Sequence, residues 1–383
     1  MNLPEAHQEG ARWTLREILQ QPRIWAQIVQ QSKSGATVVG GFLRPLLERS
    51  DVRILLTGAG TSAFIGECLA PAIAVRWTRR AEAVPTTDLV ACPDNWLLPR
   101  VPTLLVSFAR SGDSPESMAA VELAQSCLPQ CHHLIVTCSA DGDLCRRAGQ
   151  WPNAHVMLLP DEANDRGFAM TSSFSAMLLA AGLAFEVIES DGAALAALIG
   201  AGESVLAEWP ARIRALLHPP PERAVFLGSG TLKGLAREAA LKLLELTDGR
   251  IVAVSDTPLG FRHGPKTIVT ARTLVMLFLS NDPYRRQYDL DLLRELRADG
   301  IALRVIAIAA QPVPGAAHTD NFFLPALQTA SDLELCLPFV AFAQLLALLQ
   351  SLALGLSPDT PNAAGTVSRV VRGVSIYPPT RAP

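Results

Sequence analysis

Lysine is almost missing from this 383-residue chain: Lys33, Lys233, Lys242 and Lys266 are the only ones, and arginine supplies the rest of the 33 basic residues. Against 36 acidic residues this leaves a net charge of −3, so there is no basic field to hold nucleic acid or an anionic membrane, and neither is expected as a partner. The seven cysteines are an odd number and contain no C-x-x-C pair, which argues against a disulfide framework and a zinc ribbon. His132 and His133 stand near Cys127, Cys131, Cys138 and Cys145, but their spacings match no standard zinc site, so no metal is expected. The opening MNLPEAHQEGARWTLREIL lacks the uninterrupted apolar stretch of a secretory signal, from which a cytoplasmic protein is expected. Leu335 to Leu356 is apolar and long enough to span a bilayer. Pro338, Gln344, Gln350 and Gly355 lie within it and no basic clusters flank it, so a helix buried inside the protein is expected instead.

With 49% hydrophobic and 18% charged residues the chain is too apolar to be disordered, and it is too long for one ordinary domain. Residues 1–50 carry apolar positions at a helical period broken at Pro22, which predicts a helical arm. Val52 to Thr57 reads as a buried strand, followed by the turn Gly58-Ala59-Gly60-Thr61-Ser62 and a helix. The unit recurs: Arg223 to Leu227, then Gly228-Ser229-Gly230-Thr231, then a helix closed by Asp248-Gly249. Further apolar strands alternate with helices after each turn. The pattern predicts an α/β protein of two tandem, doubly wound parallel-sheet domains, at 51–210 and 211–357, with the seam among the prolines from Pro210 to Pro221. The proline-rich tail 358–383 has too little apolar surface for its own core and suits a strap lying on another surface.

A glycine turn between strand and helix raises the question of a dinucleotide, and the fingerprint fails. The third glycine of G-x-G-x-x-G falls on Ala63 in one copy and Lys233 in the other, and no P-loop is present, so no cofactor is expected. The turns are instead rich in hydroxyls: Thr61 and Ser62 after Gly60, and Ser111, Ser114 and Ser117 after the next strand. Hydroxyls at a helix start can hold a phosphomonoester without lysine; equally, Ser114 can simply cap the helix that opens at Pro115. Glu238, Lys242 and Glu245 fall on one face of a helix, either as a solvated ion-paired stripe or as a site. Three of the four lysines lie in that helix and the loop after it, which favours a role for the ammonium. In that loop His263 precedes Gly264-Pro265, a constrained mount for a general acid or base, or else a solvent-facing histidine.

These residues carry a resemblance to the SIS, or sugar isomerase, superfamily. TGAGTSAFIGE, SFARSGDSPES, DRGFAMTSS, LGSGTLKGLAREAALKLLELTDG, GFRHGPK and PDTPNAAGTVSRVVRGV look like its galactosamine-6-phosphate deaminase/isomerase branch, across nearly the whole chain. The resemblance implies a flavodoxin-like SIS fold and a small phosphorylated sugar as substrate. It places the phosphate with Gly60, Thr61, Ser62, Arg110, Ser111 and Ser114, and the substrate also with Thr171 and Ser172. By likeness to the isomerase half of glucosamine-6-phosphate synthase, Glu245 would move the proton between C1 and C2. Glu238 and Lys242 would support the intermediate, and His263 would open the sugar ring from the neighbouring subunit of a homodimer. There are two departures. Ala109-Arg110 stands where the synthase has serine-glutamine, so a guanidinium replaces one phosphate hydroxyl; and Arg372 stands where it has a catalytic lysine, limiting that position to an electrostatic role. The implied reaction is conversion of galactosamine 6-phosphate to tagatose 6-phosphate and ammonia. The alternatives are tagatose-6-phosphate ketose/aldose isomerisation without deamination, and a phosphosugar-sensing regulator.

Overall fold

The computed structural model describes residues 10–313, 320–371 and 373–378. It divides into two compact units. The first sheet has five parallel strands, β1 (Arg53–Thr57), β2 (Ala81–Ala83), β3 (Thr103–Ala109), β4 (Cys131–Thr137) and β5 (Ala154–Leu158), in the order β2-β1-β3-β4-β5. The second has β6 (Arg223–Gly228), β7 (Val252–Asp256), β8 (Thr273–Phe278), β9 (Arg304–Ala309) and β10 (Asn321–Phe323), in the order β10-β9-β8-β6-β7. Followed from its β7 edge, the second order repeats the first, which bears out two copies of one doubly wound fold. In each copy the winding reverses beside the first strand, between β1 and β3 and between β6 and β8, and open α/β sheets bind ligands at such points. Strands β1, β3 and β8 are buried along their whole length, as expected of central parallel strands covered by helices on both faces.

The unit around the second sheet takes in the chain up to Arg23, Arg166–Thr171 and Glu189–Ala363; the unit around the first takes in Ile24–Asp165, Ser172–Ile188 and the chain from Ala364. In the former, the short helix Arg12–Leu19 is held by Asp359, which accepts from the Trp13 and Thr14 backbone N–H groups at 3.0 and 2.7 Å. Buried Glu17 accepts from the Arg166 N–H at 2.5 Å. The expected break at Pro22 falls just before that residue. A new helix, Gln21–Leu47, starts there with Pro22 in its first turn, where a missing N–H costs nothing. Pro210 likewise stands in the first turn of a helix, Pro210–Leu216.

The long apolar run forms the helix Asp332–Ala353, started by a reciprocal cap between Ser331 and Glu334 and buried along its length. Each of its fully buried leucines contributes roughly 1.5–3 kcal/mol. Of the two glutamines that marked it as a core helix, one is matched inside the protein: the Gln344 amide accepts from Gln21 Nε2 at 2.8 Å and donates to the Thr171 carbonyl at 3.1 Å, while the buried Gln350 amide has no partner among the described residues. A buried amide needs such partners to offset its lost hydration.

Candidate active site

The first glycine turn leaves β1 and the serine-rich turn leaves β3, neighbouring strands paired in register with Thr57 opposite Ser107, so both turns emerge from the same edge of the sheet. Gly60 stands at φ 55° and ψ −125°, a conformation that a Cβ disfavours, and it delivers Thr61 and Ser62, both buried, to the start of the helix Thr61–Trp77. In the second turn Ser114 caps the helix Pro115–Cys127: its Oγ accepts from the Ser117 N–H at 3.3 Å and donates to Ser117 Oγ at 2.7 Å. The capping reading therefore holds, and the same geometry directs a helix N-terminus and its partial positive charge towards the turn. Ser111 Oγ accepts from the Asp113 N–H at 3.3 Å. A second loop props the turn from behind. Leu144 N–H donates to the Gly112 carbonyl at 3.1 Å and Asp143 N–H to Asp113 Oδ1 at 3.0 Å, while a Cβ on Gly142 would lie 2.0 Å from the Ser111 carbonyl oxygen.

Arg110 is nearly buried, and its Nη2 donates to the Arg369 carbonyl in the C-terminal segment at 2.7 Å. Ser172, expected to touch substrate, is fully buried at the start of the helix Ser172–Ala184. There Asp165 accepts from the Ser172 and Ser173 hydroxyls, each at 2.5 Å, and from their N–H groups at 3.1 and 2.9 Å. Thr171, also fully buried, belongs to the other unit.

The second copy repeats the turn but not its chemistry. Gly230 takes φ 56° and ψ −124°, matching Gly60, yet Leu232 stands where the first copy has Ser62. Ser229 Oγ donates to the buried carboxylate of Asp289 at 2.5 Å, and that carboxylate also accepts from the Ser280 N–H at 2.9 Å. Burial outweighs these two bonds and pushes the Asp289 carboxyl up to about 6.

Turn and strand β6 lead into the helix Thr231–Leu246. Lys242 and Glu238 are buried completely, so this face is not a solvated stripe. Lys242 Nζ lies 3.6 Å from Glu238 Oε1 and makes a short ion pair with Glu245, whose side chain keeps 26% of its exposure. One ammonium thus sits between two carboxylates, and Glu245 is the member that solvent or a ligand can reach. The other clustered lysines have different duties: Lys233 is exposed, and Lys266 pairs with Glu295 and, at 2.6 Å, with Asp299. Those bonds, to Asp299 first and then Glu295, raise the Lys266 pKa and pin the His263 loop to the helix Pro283–Asp299. His263 itself is exposed; its N–H donates to the Gly260 carbonyl at 2.9 Å, and among the described residues its ring makes no ion pair or hydrogen bond. Arg372 lies outside the described residues. His133 is a core residue of β4, with Nε2 at 2.8 Å from Gln125 Oε1, and burial lowers it to about 4.

Sequence reasoning assigned no role to Asp165, Asp289 or Arg369. Asp165 and Arg369 stand inside quoted motifs, DRGFAMTSS and PDTPNAAGTVSRVVRGV, but the motifs do not say what these side chains bond; Asp289 reaches Ser229 across 60 positions.

The SIS domain family profile matches residues 46–187 and 217–350. D-galactosamine-6-phosphate deaminase AgaS of Escherichia coli is 47% identical over 377 residues, covering 96% of each chain. The protein of that name from Shewanella sp. (strain ANA-3) is 44% identical over 374 residues, 97% of this chain and 93% of its own. Among solved structures, tagatose-6-phosphate ketose/aldose isomerase from Escherichia coli matches with a TM-score of 0.90 at 44% identity over 100% of both chains. The resemblance carried by the turns, the Glu238–Lys242–Glu245 helix and the His263 loop is thereby borne out, and the chain belongs to the SIS domain family.

Proposed function

We propose that the protein converts D-galactosamine 6-phosphate and water to D-tagatose 6-phosphate and ammonia. The observation that carries the chemistry is Lys242, an ammonium buried between Glu238 and an accessible Glu245; the sugar is taken from the names of the relatives. Glu245 removes the proton from C2 of the open-chain aldehyde and returns it to C1. Lys242 stabilises the charge that develops on oxygen in between, in a site where low dielectric strengthens it. The product of the shift is a C2 imine, and water hydrolyses its C–N bond to ketone and ammonia. Ser62, Ser111, Ser114 and Arg110 hold the phosphate, and Gly60 and Thr61 shape its turn. His263, exposed on its own chain, serves ring opening in the site of a second copy, which makes the working form a homodimer; Arg372 acts there only through its charge. A second reading, ketose/aldose isomerisation without loss of nitrogen, is favoured by the name of the structural relative. Ammonia and ketose release should be measured with the 6-phosphates of galactosamine, glucosamine, galactose and tagatose. Galactosamine 6-phosphate should give both products in equal amounts and fastest. Turnover of galactose 6-phosphate alone would establish the second reading, and turnover of none would overturn both.

A further inference from the structure

One exposed residue of the C-terminal segment reaches two elements that carry expected substrate contacts. The Arg369 carbonyl accepts from Arg110 Nη2 at 2.7 Å, and the Arg369 guanidinium donates through Nε to the Asp165 carbonyl at 3.0 Å, makes a second, shorter bond to it through Nη2, and lies 3.4 Å from Asn164 Oδ1. Asp165 in turn fixes the start of the helix Ser172–Ala184 through its carboxylate. The backbone end of Arg369 thus meets the residue that opens the serine-rich turn, and its side-chain end meets the residue that sets Ser172. All of these groups lie in the unit of the first sheet.

We propose that Arg369 is a positioning residue for phosphate binding: its guanidinium anchors the tail on Asp165 and Asn164, and the anchored carbonyl holds the Arg110 guanidinium in the orientation in which it receives the phosphate. This rests on the phosphosugar reading above. An arginine has five N–H donors in a rigid fork, so a bond from Nη2 to a carbonyl fixes the plane in which the other donors point. A long side chain that is already oriented loses less freedom when the anion arrives, an advantage of about threefold to tenfold in affinity. Coupling of this kind is reciprocal, so bound phosphate also tightens the tail.

The test is equilibrium binding of two unreactive probes, galactitol 6-phosphate and inorganic phosphate, to the full-length chain and to Arg369→Ala, Arg110→Ala and the double variant. Galactitol 6-phosphate should bind Arg369→Ala about threefold to tenfold more weakly, with no further loss when Arg369→Ala is added to Arg110→Ala, because neighbours acting through one group are not additive. The tail should be cut more slowly by protease when the probe is bound to wild type, and no more slowly in Arg369→Ala. Arg369→Lys, whose ammonium can still donate to the Asp165 carbonyl, should retain more affinity than Arg369→Ala. An equal loss in both backgrounds, no loss in either, or a lysine variant as weak as alanine would overturn the coupling while leaving the phosphosugar reading intact. Failure of both probes to bind wild type would overturn the phosphosugar reading, and this coupling with it.

Discussion

Lys242 shows how much a single side chain has to satisfy. Removing an ammonium from water is expensive, and the carboxylates of Glu238 and Glu245 beside it help to offset that cost. Lys242→Met should therefore deprive the buried Glu238 carboxylate of its neighbouring ammonium and destabilise the protein by about 3–5 kcal/mol in denaturant unfolding. Adding Glu238→Gln should recover part of that loss; an unfolding midpoint unchanged by the first substitution would show that the pair is not buried in solution. Asp289 makes the opposite case, a carboxyl whose burial raises its folded pKa to about 6 from an ordinary value near 3.8. The folded state then binds the proton more tightly than the unfolded state does. The stabilisation is complete below about pH 4 and is lost as the pH rises through 6, amounting to a difference of about 3 kcal/mol. Asp289→Asn keeps an acceptor for Ser229 and Ser280, so its stability should fall less than that of wild type between pH 4 and 7. Parallel stability curves for the two proteins would remove Asp289 from the pH dependence.

At the level of elements, the serine-rich turn takes its position from the loop beneath it more than from its own residues. A methyl group on Gly142 would meet the Ser111 carbonyl at 2.0 Å, and a backbone atom cannot swing aside as a side-chain end can. Gly142→Ala should push the turn outward and raise KM for the phosphosugar by about tenfold or more, with a smaller effect on kcat, since phosphate placement is a matter of fractions of an ångström. Steady-state kinetics would show this, and an unchanged KM would mean that the turn tolerates displacement. Strand, glycine turn, capped helix and the Glu238–Lys242–Glu245 face could all be read in advance because each is written within one or two turns of chain, in period, glycine position or hydroxyl spacing. Burial of Lys242 was foreshadowed only by the scarcity of lysine, and that cue does not separate it from Lys233 and Lys266, which lie on the surface or in ion pairs. The partners of Asp165, Asp289 and Arg369 could not be read, although Asp165 and Arg369 lie in motifs that carry the resemblance. Arg369 meets Arg110 across 259 positions, and a hydrogen bond to a distant carbonyl leaves no period or composition behind.

For the whole molecule, the proposed composite site makes a demand on assembly. Glu245→Gln should abolish turnover, since the amide keeps the shape but accepts no proton, and His263→Ala should do so by leaving the partner's ring-opening step unaided. Mixed after proven subunit exchange, the two dead chains should regain activity, because a two-fold axis delivers one intact histidine to one intact glutamate. Mixed dimers that stay inactive would confine His263 to its own chain. The two copies of the fold also differ in a way that fixes a binding ratio. Gly60 and Gly230 share one backbone conformation, but the second turn has Leu232 in place of Ser62, and its Ser229 hydroxyl is already given to the carboxylate of Asp289. Duplication therefore produced two cradles of which one carries its own anion, and a calorimetric titration with phosphosugar should saturate at one equivalent per chain, not two.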